Sequence, residues 1–278
     1  MTRAILLLLF TAPALAAQEQ PVVERIHVLE KRPFTEAGRW ELSLFGNAQV
    51  NPKFTVHAGL SGELAYHLKE NFALQLSVSW YPVSRESSLS EELINKASVA
   101  PETAEALLLQ GAVLAGLELM PVYGKLNVFD GKILRLGVYI NAGVGAAKTQ
   151  LQLRPSGDQI TGRSFGDAGY RPMGSLGVGL RAFVSERFTV RLELRDLVYS
   201  GFVSKVNGCN HDDALKIAAA ENAKTTATGL SGGCNESAFG STPAIAAANA
   251  SSAGDLLRTP SAEVINNLAF QGGVSWLF

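Results

Sequence analysis

Beyond its first residues, the chain has no run of the roughly 20 consecutive apolar residues that a membrane-spanning helix needs. It also lacks an excess of either charge. Lys and Arg number 24 against 25 Asp and Glu among 278 residues. No basic stripe is present, which argues against a nucleic-acid partner. Cysteine is scarce, with only Cys209 and Cys234. That count is too low for a disulfide scaffold, and the two residues match no metal-ligand spacing. Yet 47% of the residues are hydrophobic. So much apolar character without a helix-length run needs another way of being distributed.

The N-terminus supplies the one compact apolar stretch. Arg3 precedes Ala4 to Phe10, and the small residues Ala14-Leu15-Ala16 follow. This is the pattern of a secretory signal peptide, assigned to residues 1–17. The alternative, an N-terminal membrane anchor, needs a longer run. Residues 18–37 are charged and aperiodic, and are expected to form a periplasmic arm. Val22 to Leu29 could form a short strand within it. In an exported chain, Cys209 and Cys234 are expected to pair as a disulfide.

The rest of the chain alternates. In Thr55 to Leu68, Val56, Ala58, Leu60, Leu64, Tyr66 and Leu68 take one face, and His57, Ser61, Glu63 and His67 take the other. Successive side chains of a strand point to opposite faces, so this is an amphipathic strand. Seven further segments show the same period. They are Arg39 to Phe45, Phe72 to Tyr81, Val113 to Leu119, Ile133 to Ala146, Met173 to Phe183, Phe188 to Tyr199 and Asn267 to Phe278. Lengths near 9–11 residues suit tilted strands crossing a bilayer.

The connections alternate too. Lys69-Glu70-Asn71 and Ser185-Glu186-Arg187 are tight, and Pro121 to Lys132 is somewhat longer. Gln49 to Phe54, Ser84 to Gln110, Lys148 to Arg171 and Ser200 to Ile265 fall at the opposite end. Outer-membrane barrels sort short periplasmic turns from long extracellular loops in this way. Trp40, Tyr66, Phe72, Phe188, Trp276 and Phe278 would form one aromatic girdle, and Phe45, Trp80, Tyr81 and Tyr199 the other. A soluble β-sandwich is the competing architecture, but it gives no reason to sort loops by end. The expected fold is all-β: an eight-stranded antiparallel transmembrane β-barrel over residues 38–278, with short helices in its long extracellular loops.

The last strand ends on Phe278, with Trp276 and Val274 two and four positions before it. This resembles the C-terminal signature of outer-membrane barrel proteins. With eight strands, the chain resembles the OmpA/OmpX-type small barrels. The resemblance implies an outer-membrane location, surrounding lipids and recognition of the last strand by the barrel assembly machinery. It does not fix an activity, because such barrels include anchors, pores, adhesins and lipid-modifying enzymes. The barrel occupies the whole C-terminus, so a cell-wall-binding domain is not expected there.

Alternation assigns Glu41, Glu63, Glu118 and Glu193 to the lumen, with Arg135, Arg181, Arg191 and Arg195. Eight strands enclose only enough room for side chains. Buried charges must be paired or solvated. An ionic network that plugs the lumen is therefore expected, and a narrow gated pore lined by the same groups is the alternative. His57, Ser61 and Glu63 share a face, but positions i and i+4 of a strand lie about 13 Å apart, beyond proton-transfer reach. No enzyme activity, cofactor or metal is expected. Cys209, His211, Asp212 and Asp213 fit a polar loop better than a metal site. His67 suits a hydrogen-bonding role near the periplasmic rim. Asp196 could mark a bulge at the outer rim.

In the loops, Ser90-Glu91-Glu92 and Ala100-Pro101-Glu102 read as helix starts. Leu107, Leu108 and Leu109 would then sit on a helical turn over Ala104 to Gln110. Asp212 to Lys224 and Pro243 to Asn249 are further helices. The expected role is structural or surface-interacting, with the long loops meeting any extracellular ligand and the protein acting as a monomer.

Overall fold

The structure is a computed structural model that describes residues 36–97, 107–128, 132–153, 163–260 and 263–278. The signal peptide, the short strand at Val22 to Leu29 and the helix start at Ala100 lie outside these residues. Eight strands close into one barrel: β1 (Trp40–Gln49), β2 (Thr55–Lys69), β3 (Phe72–Glu86), β4 (Leu107–Val128), β5 (Lys132–Gln152), β6 (Phe165–Phe183), β7 (Phe188–Ser200) and β8 (Val264–Leu277). Each pairs antiparallel with its neighbours in sequence, and β8 closes on β1 through pairs such as Leu42 with Trp276. Closure leaves no free sheet edge, which a strand crossing lipid requires.

Alternation becomes two walls. Val144 is 72% exposed and Leu176 66%, whereas Glu41, Arg181 and Arg191 are 0% exposed. The large apolar residues point out and the ions point in. In water this would be inverted, because exposed apolar surface is unfavourable at roughly 25 cal/mol per Å². A hydrocarbon surround removes that cost, so the outer wall is one that sits in lipid.

Four expectations about local structure need correction. First, Leu107 to Leu109 are not helical. They open β4, opposite Leu151, Gln150 and Thr149, and all three are buried. Three successive leucines hide the period of two because a register shift follows at Leu109/Gly111. Second, Pro121 to Lys132 is mostly strand. A register shift between Leu119 and Val122 absorbs Pro121, and pairing resumes from Val122 with Val138 to Val128 with Lys132. Proline cannot donate to the ladder, and an irregularity of this kind is where a strand tolerates it.

Third, Ser90 is not the cap of the first loop helix. Helix α1 runs Ser88–Ala97, and the Ser87 hydroxyl accepts the Ser90 N–H at 3.4 Å. Fourth, Asp196 is not at a bulge. Its pairs with Leu176 and Leu268 lie in unbroken register. It lies about 20 Å above Phe188 on the outer wall, given a rise of ~3.3 Å per residue and the usual strand tilt.

The last long loop is a folded cap. Helix α2 (His211–Ala223), a 3₁₀ turn (Glu236–Phe239) and helix α3 (Pro243–Leu257) lie between β7 and β8. Asn210 caps α2 reciprocally with Asp213: the Asn210 side chain accepts the Asp213 N–H at 2.9 Å, and the Asp213 carboxylate accepts the Asn210 N–H at 3.2 Å. Asp213 also accepts the Ser231 N–H at 3.0 Å. Burial pushes the Asp213 carboxyl up, but these backbone donors win and hold it below its ordinary value. Thr242 caps α3, with Pro243 at its first turn. Alanines and Gly254 let α2 and α3 approach closely, and a Cβ at Gly254 would meet Leu215 at 3.0 Å. The sequence marks α3 only to Asn249, but the helix runs on to Leu257.

Cys209 and Cys234 form a disulfide, with Cα atoms 4.3 Å apart. It ties the entry of α2 to the segment before the 3₁₀ turn.

Candidate functional site

The inward-facing side chains form two layers. The lower layer is ionic and centres on Arg191 of β7. One guanidinium nitrogen, Nη1, lies 3.1 Å from Glu63 of β2, 3.4 Å from Glu41 of β1 and 3.2 Å from the Ser43 hydroxyl. The other, Nη2, lies 2.5 Å from Glu118 of β4. The Nε–H points to the Tyr139 hydroxyl at 3.3 Å, and the guanidinium carbon sits 4.4 Å from the Tyr139 ring centre and 5.2 Å from that of Phe45. Five donors in a rigid fork allow one arginine to bind several carboxylates at once.

Two more arginines extend the layer. Arg181 of β6 donates to Glu118 at 2.7 Å and lies 3.0 Å from Glu41. Arg195 donates to Glu63 at 3.0 Å and to Glu193 on its own strand. Tyr139 donates its hydroxyl proton to Glu193 at 2.9 Å. Gln75 donates to both Glu63, at 3.0 Å, and Glu118, at 2.5 Å. His67 meets Glu41 at 2.7 Å, and its other ring nitrogen lies 3.8 Å from Glu36.

The structure therefore brings together Glu41, Glu63, Glu118, Glu193, Arg181, Arg191 and Arg195. Arg135 is half-buried, opposite Lys125 and Phe183, near the turns that join β4 to β5 and β6 to β7. Alternation puts it on the inner face but cannot give its height, which depends on strand stagger.

Four participants carry no signal strong enough to find by charge alone: Ser43, Gln75, Tyr139 and Glu36. The first three hold inward positions that a strict inside/outside list would have retained. Glu36 precedes β1, where no period exists. The glycines of β5 and β6 lie close against the ionic layer. A Cβ on Gly179 would collide with the Tyr139 ring, and one on Gly177 would fall 2.5 Å from Asn141 Oδ1 and 2.8 Å from Glu193. These glycines provide the space that the ionic layer occupies.

The upper layer is apolar. Leu109, Leu114, Met173, Leu197 and Tyr199 on the inner wall form one buried cluster with Val206, Ile217, Phe239 and Leu257 of the cap. Between the layers lies a neutral polar tier. Ser61 bonds Asn47 at 2.5 Å and Ser79 at 2.6 Å. His57 accepts the Leu109 N–H at Nε2, 2.9 Å away, so its proton sits on Nδ1 and can be donated to Gln49 Oε1 at 2.9 Å. His57 and Ser61 thus serve separate partners. His211 meets the Gly254 carbonyl at 2.7 Å, and Asp213 caps α2.

The terminal signature is all on the outer wall: Val274, Trp276 and Phe278 are exposed, while Ser275 and Leu277 face in. Trp40 and Tyr66 meet in a tilted ring contact, with ring centres 4.9 Å apart.

No protein-family model matches the sequence, and no curated protein matches it. Solved structures match over most of the chain. The N-terminal β-barrel domain of Pseudomonas aeruginosa OprF is 13% identical, with 87% of this chain and 98% of that one covered and a TM-score of 0.36. Neisserial surface protein A is 11% identical over 87% and 98% of the two chains, with a TM-score of 0.38. Ail, the attachment invasion locus protein of Yersinia pestis, is 10% identical over 87% and 99%, with a TM-score of 0.34. The closed order of eight antiparallel strands, the apolar outer wall and the polar lumen together give this chain the architecture of an eight-stranded transmembrane β-barrel.

Proposed function

We propose that the protein is a structural or surface-interacting outer-membrane barrel with a closed lumen, which presents its helical cap to the exterior. The observation that carries this reading is the binding of one guanidinium, that of Arg191, by carboxylates from β1, β2 and β4. Opening a pore through that layer would leave several ions without partners in a small cross-section, which costs several kcal/mol for each buried charge. The apolar cluster above it would have to open as well. Two chemically different seals suit a barrel that is not a conduit.

In this reading the last strand, with Val274, Trp276 and Phe278 outward, is what the barrel assembly machinery engages. The barrel functions as a monomer in outer-membrane lipid. It uses no catalytic group or cofactor, and ligand contacts fall to the cap and rim.

Planar-bilayer recording tests the seal. The refolded protein should give no steady conductance steps at moderate voltage. Steady, charge-selective steps that change on Arg191→Ala would sink the closed-lumen reading and favour a small gated pore.

A further inference from the structure

At the outer rim, the ends of β2 and β3 and the first turn of α1 enclose a cavity of about 360 Å³. Lys53, Arg85 and Arg163 line it, with Glu86 as the one carboxylate and Ser88 and Leu89 beside them. Among the described residues that line it, the cations outnumber the carboxylates. Among the described residues, neither Arg85 nor Arg163 has a carboxylate within ion-pair distance. The ionic layer below pairs its arginines closely, so these two stand out by contrast.

We infer that this cavity binds a phosphate monoester. Guanidinium forks match the oxygens of a phosphate bidentately, and two arginines on one cavity, Arg85 from β3 and Arg163 from the segment before β6, set a geometry that one lysine could not. The N–H groups of Ser88 and Leu89 are among the first-turn donors with no partner inside the helix, so they add polar positive ends to the wall. Ser87 holds that turn in place by donating to the Lys53 carbonyl at 2.6 Å.

Height on the barrel points to the phosphate's source. Arg85 pairs with Val56 on β2 and follows the outward residues Trp80 and Val83 on β3. Five residues of a tilted strand raise it about 12 Å above Trp80, to the level of lipid headgroups rather than tails. Leu89, 48% exposed, gives the cavity an apolar edge. A phosphorylated glycolipid of the surrounding leaflet fits both features, and a soluble sugar phosphate shares only the first. The height argument rests on the membrane orientation proposed above.

Native mass spectrometry of the full-length folded protein in detergent tests the site with two probes: diphosphorylated lipid A and glucose 1-phosphate. The protein should retain one lipid A. Retention should fall at least tenfold in Arg85→Ala/Arg163→Ala and hold in Lys205→Ala, a rim cation outside the cavity. Glu86→Gln should strengthen retention, a gain that misfolding cannot imitate. If glucose 1-phosphate binds equally well with the same variant pattern, the site stands and its source is soluble. Equal retention by wild type and the double variant, or of lipid A stripped of phosphate, would overturn the inference. Heat-dependent gel mobility of the same samples reports the barrel, so failure of the membrane reading would show separately.

Discussion

Arg191 and Glu118 meet at 2.5 Å inside the barrel, from strands separated by 73 residues of sequence. The same arginine holds Glu41 and Glu63. Its removal leaves Arg181 and Arg195 alone to balance Glu41, Glu63, Glu118 and Glu193, which is far costlier than losing a surface pair. Arg191→Ala should lower unfolding stability by about 3–5 kcal/mol. Arg191→Met combined with Glu118→Gln should recover part of that loss. Urea titration in detergent, followed by tryptophan fluorescence, measures both. A loss below about 1 kcal/mol for the alanine variant would mean the layer is hydrated and weakly coupled.

The outer wall makes a depth-dependent prediction. Leu192 lies in the middle of the apolar band, between Val190 and Leu194 on β7, and is exposed. Leu192→Arg should destabilise the folded barrel by about 2–4 kcal/mol in a bilayer. The same change at Val264, on the rim of β8, should cost ~1 kcal/mol or less. Refolding titrations into vesicles compare the two, and equal costs would argue against a membrane belt at this height.

The cap is expected to respond to acid on its own. The folded Asp213 carboxyl is depressed below its ordinary value, so its stabilising effect is present above the unfolded pKa of roughly 3.9. That effect is lost as pH falls through the lower folded value. Hydrogen exchange of α2 amides should therefore stay flat from neutral pH to about 4, after correction for intrinsic rates, and rise below it. In Asp213→Asn this acid response should disappear. An unchanged response would assign it to another group.

Disulfide loss should be local. A loop of 25 residues' separation corresponds to roughly 3 kcal/mol in the chain-entropy account. Cys209→Ser/Cys234→Ser should open the cap to protease while leaving the heat-dependent gel mobility of the barrel unchanged. Cleavage mapped by mass spectrometry should fall near Gly229 to Gly240. Loss of the mobility shift as well would show that cap and barrel fold as one unit.

Much of the barrel was legible because the period of two is local. Val56 to Leu68 and Leu134 to Val144 each declare an inside and an outside without reference to the rest of the chain. The legible set broke where a bulge or a double burial interrupted that period. Leu107 to Leu109 read as a helical turn because every one of them is apolar, yet all are buried in β4. Pro121 to Lys132 read as a connection, because the register shift that absorbs Pro121 was invisible. The ionic residues were legible as inward-facing, but their partners were not. Glu193 and Arg195 could be paired from their spacing, whereas Arg191 with Glu118 could not.

The sequence alone determined the strand count, the sidedness of each strand, the two-ended sorting of loops and the identity of the inward charges within the strands. Each of these follows from alternation and turn chemistry over a few residues. Only the tertiary structure decided which charges meet, where Arg135 sits along the barrel, and that the last loop folds into a cap continuous with the upper lumen. Those outcomes depend on strand stagger and closure, which set the relative height of residues far apart in the chain.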